Sequence, residues 1–326
     1  TKLLLLDITG IMVRARHDAE STASLIQAVK RLELAGGSCS VLGDNATYTP
    51  PAAALINGTL AHSLDFDDTH AEGSLHSSAP IVPAALAAAE ISSASGRDLI
   101  TAIVAGFEIQ IRLSIALNPA EHYERGFHPT ATCGVFGAAA ATAKLLGLGT
   151  EDIRSAFGIA LSQAAGSMEF LADGAWTKRS HVGQAAQNGL ICAVMAGEGF
   201  KGVNDAFEGT RGFFHRNSPK SETEKAVARL GLLADDVEDR VDELGALGVV
   251  ALGPVVAGAG LAEDEVVRAE KLAEGAGADR VHGAGLEVHE DGARHVAAAG
   301  RLVVVDVDAL SGSRGRAESE RVSQCF

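Results

Sequence analysis

From Pro51 to Gly197 the chain is a succession of long apolar runs whose hydrophobic positions recur at helical spacing, with almost no strand-like alternation. The runs span Pro51 to Leu64, Ile81 to Ile91, Leu99 to Ala116, Pro129 to Leu146 and a last one reaching Gly197. Runs apolar on every side must be buried by one another, so the predicted fold class is a large all-α domain. The chain is 47% hydrophobic but only 4% aromatic, which leaves Ala, Leu, Val and Ile to build the core. Gly134 and Gly137 favour close helix packing.

The local signals are specific enough to place ends. Ser21 to Leu34 reads as an amphipathic helix stopped by Gly36-Gly37. Ser38 to Pro50 has turn chemistry. Pro51 suits a first helical position, Asp98 an N-cap before Leu99, and Thr150 an N-cap before Glu151 and Asp152. The chain opens on Thr1, and Leu3 to Leu6 already reads as helix interior, so a truncated N-terminus is expected.

Charge narrows the partners. A formal net charge of −15 disfavours nucleic acid and anionic membranes. Leu244 to Ala262 is uncharged and long enough to span a bilayer, but its glycines, Pro254 and acidic flanks argue against that. Cys39, Cys133, Cys192 and Cys325 lack metal-ligand spacing and read as thiols of a cytoplasmic protein, consistent with an opening that carries no signal peptide.

Chemistry concentrates where helical runs begin and end. Asn57 to Pro83 gathers Asp65, Asp67, Asp68, His70, Glu72 and His76. Its carboxylates follow the first apolar run, the end at which a helix disfavours negative charge. Three readings fit: a solvated acidic loop, a metal site of carboxylates and imidazoles, or a metal-free site in which a carboxylate orients an imidazole. Asp65 to Asp68 also has the look of a magnesium-diphosphate site, although Ala71 interrupts the repeat of carboxylates one turn on. His128 before Pro129 is placed to cap a helix, beside free N–H groups suited to anions. Lys178, Arg179 and His181 begin a later helix, where cations oppose the dipole.

Four segments together resemble the MmgE/PrpD family: Asn57-Gly58 with His62, Asp65-Phe66-Asp67-Asp68-Thr69 and His76; Gly106-Phe107-Glu108 with Arg112; Phe127-His128-Pro129-Thr130-Ala131-Thr132; and Asp173-Gly174 with Lys178-Arg179-Ser180-His181-Val182-Gly183. The family contains 2-methylcitrate dehydratases, cis-aconitate decarboxylases and iminodisuccinate epimerases. The resemblance covers residues 1 to about 215. It implies an all-α domain followed by a smaller α/β lid, a homodimer, no metal or other cofactor, and a small di- or tricarboxylate substrate. It puts the active-site acid on Asp65, the two histidines on His76 and His128, and the lysine on Lys178, with Arg179 and His181 as further substrate-binding groups. Asp65 would orient an imidazole. The leading expectation is a lyase of the 2-methylcitrate dehydratase type. The alternatives are a decarboxylase or epimerase of the same family, a magnesium-dependent diphosphate enzyme, and an inactive helical domain.

The resemblance places a first domain at residues 1–220 and leaves 221–326 unmatched. From Glu224 onward there is no Ile, Thr, Asn, Met, Tyr or Trp, and the single Phe is the last residue. Such a change of alphabet resembles GC-rich DNA read out of frame, or a low-complexity or disordered segment. With the lid unmatched, weak or no turnover of 2-methylcitrate is expected.

Overall fold

The computed structural model describes residues 1–228, all within one compact unit. The alphabet change and the Leu244 to Ala262 run therefore lie almost wholly outside the described residues.

The described chain is helical, as the apolar periodicity requires, with one small hairpin. Helix α1 (Lys2–Asp18) and α2 (Ser21–Arg31) precede two antiparallel strands, β1 (Ala35–Ser40) and β2 (Thr47–Tyr48). Then come α3 (Pro50–Ala61), α4 (Ser78–Ser92), α5 (Gly96–Leu117), α6 (Pro119–Glu124), α7 (Pro129–Leu145), α8 (Thr150–Ala160) and α9 (Thr177–Gly197). The short helices α10 (Phe213–Asn217) and α11 (Glu224–Val227) close the described chain.

Helices α3, α4, α7 and α9 form the centre, with α5 laid along α7. Every residue of α7 from Pro129 to Ala143 is buried, and so is every residue of α4 from Ser78 to Ala89. Small side chains let backbones nearly touch. A methyl group on Gly58 would stand 2.8 Å from Gly183 Cα, so α3 and α9 cross glycine on glycine. Helix α5 is long and apolar enough to cross a membrane, but its Gln110 is fully buried against the helical core and its Arg112 pairs with Glu108.

Several predicted ends move, each for a tertiary or local reason. Helix α2 stops at Arg31, not Leu34, because Glu33 turns left-handed and Ala35 enters the hairpin. Gly36-Gly37 lies within β1 instead of ending the helix, and a side chain at Gly37 would strike the Tyr48 carbonyl. Helix α5 is capped by Ser95. Asp98, expected as the cap, is its third residue and completes a reciprocal capping box with Ser95. Thr150 is the first residue of α8, and Gly149 stands at the cap.

Candidate functional site

Three loop–helix junctions bring four histidines together. Helix α3 stops at Ala61 and leaves His62 at its C-cap. The connecting loop then carries Asp65, Asp67 and His76 to the start of α4. His128 is the N-cap of α7 with Pro129 at the first position, as its sequence predicted. Its imidazole makes no capping bond, and its backbone N–H donates to the Gly166 carbonyl at 3.1 Å. The ring is thereby left to the interior.

The rings are close neighbours. His62 lies 4.7 Å from His76, centroid to centroid, and 5.7 Å from His128, which is 5.7 Å from His181, the fifth residue of α9. Phe170 packs edge-on against both His128 and His181. Gln110 of α5 ties two of the junctions together. Its amide donates to the carbonyls of His76 and Thr130 at 3.3 and 3.1 Å, while the His76 N–H donates to Thr130 Oγ1.

The three aspartates, so close in sequence, separate to three partners. Asp67 is buried, and its Oδ2 lies 2.7 Å from His62 Nδ1 and 3.2 Å from His76 Nδ1. Asp68 accepts from the Ser78 N–H at the start of α4, the end of a helix that welcomes negative charge. Asp65, with a left-handed φ of 55°, accepts a hydrogen bond from Lys178 Nζ at the first turn of α9. The carboxylates are therefore not misplaced on α3. That helix has ended before them, and their partners lie elsewhere. The carboxylate in contact with imidazoles is Asp67, where the sequence reading had Asp65.

Of the other expected residues, His181 joins the ring cluster. Arg179 engages Ser21 Oγ at 3.3 Å and lies over the Trp176 ring, so its described partners are structural. His62 and Asp67 stand in the sequence motif but were given no site role there. Their five-residue spacing across a helix end was the available signal, but it names no partner without the fold.

The electrostatics divide the imidazoles into two kinds. Burial opposes a charge on Asp67, yet hydrogen bonds from His62 and His76 outweigh it and hold its pKa below the ordinary carboxylate range. Burial likewise opposes a charged His76, but the Asp67 contact raises its pKa. Burial, reinforced by His62, His181, Lys178 and His76, pushes His128 well below the usual histidine value. Burial and His62 lower His181 as well. The cluster thus pairs one imidazole inclined to carry a proton with two inclined to stay neutral, beside an ionised carboxylate and a lysine.

His62, Asp67 and His76 also offer atoms within 4.8 Å of one another, close enough to consider a metal ion. In the structure Asp67 Oδ2 is shared by the Nδ1 atoms of both histidines, while Asp67 Oδ1 and His62 Nε2 are buried without a hydrogen-bond partner among the described residues. A separate cavity of about 530 Å³, lined by Ile159, Asn188, Met195, Phe200 and Val203 among others, includes none of the cluster.

A profile of the MmgE/PrpD N-terminal domain matches residues 1–226. The cis-aconitate decarboxylase-like protein oryM of Aspergillus oryzae is 38% identical over 209 residues, 60% of this chain and 43% of that protein. Cis-aconitate decarboxylase of Aspergillus terreus is 34% identical over 233 residues, 68% of this chain and 47% of its own length. Cis-aconitate decarboxylase of Homo sapiens is 37% identical over 191 residues, covering 56% of this chain and 39% of the human protein. The chain spans less than half the length of these relatives. With the profile running through all the helices that carry the histidine cluster, the chain belongs to the MmgE/PrpD family.

Proposed function

We propose that this helical domain carries the acid–base part of a lyase site that decarboxylates a small unsaturated tricarboxylate, cis-aconitate or a close analogue. The observation that carries the reading is the division of the imidazoles around Asp67, with His76 biased toward the cation and His128 toward the neutral base. In decarboxylation the C–C bond to a carboxylate breaks and CO2 leaves. The electron pair left on carbon then takes a proton, which His76 would donate. Lys178 and His181 would hold the remaining carboxylates, a substrate oxygen taking the place of Asp65 on Lys178. His128 stays neutral and can accept a hydrogen bond or a proton from substrate.

Dehydration of a hydroxytricarboxylate, the first expectation from the sequence, would use the same groups with His128 as base for a C–H proton. The relatives named as decarboxylases favour the first reaction.

The test is to incubate the full chain with millimolar cis-aconitate. Proton NMR would follow the unsaturated dicarboxylate left after CO2 loss, and the histidine resonances would be watched for binding. Turnover, even slow, that His76→Gln lowers by about 10²-fold or more supports the reading. Histidine resonances unmoved by cis-aconitate, or a variant as fast as the parent, would overturn it.

A further inference from the structure

His62 is wholly buried yet reaches no acceptor or donor through Nε2, and Asp67 directs both of its side-chain bonds through one oxygen. We propose that Asp67 and His62 are positioning residues, Asp67 fixing His76 as the Nδ1–H tautomer with Nε2 presented to substrate, and His62 clamping Asp67 from behind. The proposal deepens the acid–base reading given above and rests on it for its catalytic meaning.

The geometry argues for the tautomer directly. An ionised carboxylate has no proton to give, so each imidazole nitrogen facing Asp67 Oδ2 must be the donor. At 2.7 and 3.2 Å both contacts are hydrogen bonds, so His62 and His76 both carry a proton on Nδ1. The backbone carbonyl of Asp67, 3.3 Å from His76 Nδ1, is a second acceptor on the same side. Among the described residues no hydrogen bond or ion pair engages His76 Nε2, the atom left for chemistry.

His62 and His76 share Asp67 but not its consequence. His62 is fully enclosed, edge-on to His76 and stacked over His128 at 26°. A second proton on His62 would sit on Nε2 as a buried N–H without an acceptor. His76 keeps 21% of its side chain exposed. The ring with access to a ligand is therefore His76, while His62 holds Asp67 Oδ2 from the enclosed side and stops the carboxylate from rotating.

The first test requires no turnover. In the full chain labelled with ¹⁵N-histidine, long-range proton–nitrogen correlations assign each tautomer. At a pH above the His76 titration, where the ring is neutral, both His62 and His76 are expected as Nδ1–H. Asp67→Asn should leave His76 a mixture of tautomers and lower the pH at which it protonates. With cis-aconitate, kcat should fall about 10- to 100-fold while KM changes little, the scale seen when a group orienting an imidazole is removed. If Asp67→Asn does not fold, His62→Gln serves instead. It keeps the carboxylate, so His76 should remain Nδ1–H while kcat falls by less than about 10-fold, and a His76 no longer Nδ1–H would overturn the assignment of Asp67 as its anchor. Wild-type His76 found as Nε2–H, or a tautomer and pH profile indifferent to Asp67→Asn, would overturn the proposal. An Nδ1–H His76 in a chain that neither binds nor converts cis-aconitate would support this positioning and defeat the functional reading, so the two failures are distinct.

Discussion

Gly183→Ala probes how the site is held, because Gly183 sits two residues after His181 and faces α3 four residues before His62. A methyl group there would lie 2.3 Å from the Leu55 carbonyl oxygen and 2.3 Å from Thr59 Oγ1. Both atoms belong to one turn of α3, closed by the hydrogen bond from Thr59 Oγ1 to that same carbonyl, so neither can swing aside as a flexible side-chain tip could. The shortfall from ordinary contact is about 1 Å, and it must be met by separating α3 from α9. Helix α9 cannot retreat, because Gly189 on it is pressed against Ala138 and the Val135 carbonyl of α7. Overpacking of this kind costs about 1–3 kcal/mol, and a backbone obstruction on both faces puts the estimate near 3. Urea unfolding followed by helical circular dichroism reads the loss. With slopes of about 1–3 kcal/mol/M, the midpoint should fall by about 1 M or more. Gly10→Ala is the control. It has open space around it in α1 and should gain about 0.5–1 kcal/mol. A Gly183→Ala protein within about 0.5 kcal/mol of the parent would show that α3 and α9 do not fix each other as argued.

The other predictions concern protons and metals. Burial holds His122, fully enclosed between the Asn217 carbonyl and Thr132 Oγ1, down to about 4, against an unfolded value of 6.5. Between those values the unfolded chain takes up a proton the folded chain refuses, so stability falls as pH drops from 6.5 toward 4, by roughly 2–4 kcal/mol from this group. His122→Gln should flatten that part of the stability curve, and equal slopes in variant and parent would refute it. His128 acts in the same direction, whereas His76, with its raised pKa, adds stability below its unfolded value and loses it as pH rises. Finally, purified protein able to bind cis-aconitate should hold no stoichiometric divalent ion and should keep its histidine spectrum through chelator treatment. One ion per chain bound at His62, Asp67 and His76 would refute the metal-free reading.

What could be read from the sequence was what short range decides. Pro129 admits only the first turn of a helix, so His128 at the cap was visible before any fold. The cations at the start of α9 were visible for the same reason of position. Asp98 was misassigned as a cap because Ser95, three residues earlier, competes for that role and wins with a box. The acidic cluster shows the limit most plainly. Asp65, Asp67 and Asp68 are near neighbours on the chain, yet their partners are Lys178, the His62–His76 pair and the Ser78 amide. Which aspartate meets an imidazole depends on a left-handed turn at Asp65 and on the crossing of α3 with α9. Neither is encoded in a local pattern.

The alanine-built centre has a thermal consequence. An alanine has no side-chain rotamer to lose on burial, whereas a buried Leu or Met surrenders about 0.5–2 kcal/mol of rotational freedom. In α7 the run Ala138–Ala141, and in α4 the residues Ala84, Ala85 and Ala87–Ala89, bury surface with almost no such freedom to freeze. They also have no alternative rotamers to populate once folded. At these alanine positions motion can only be displacement of the helix, since the side chain has no rotamer to change. Histidines mounted on the ends of such helices inherit that stillness, and their spacing changes only when the helices themselves shift.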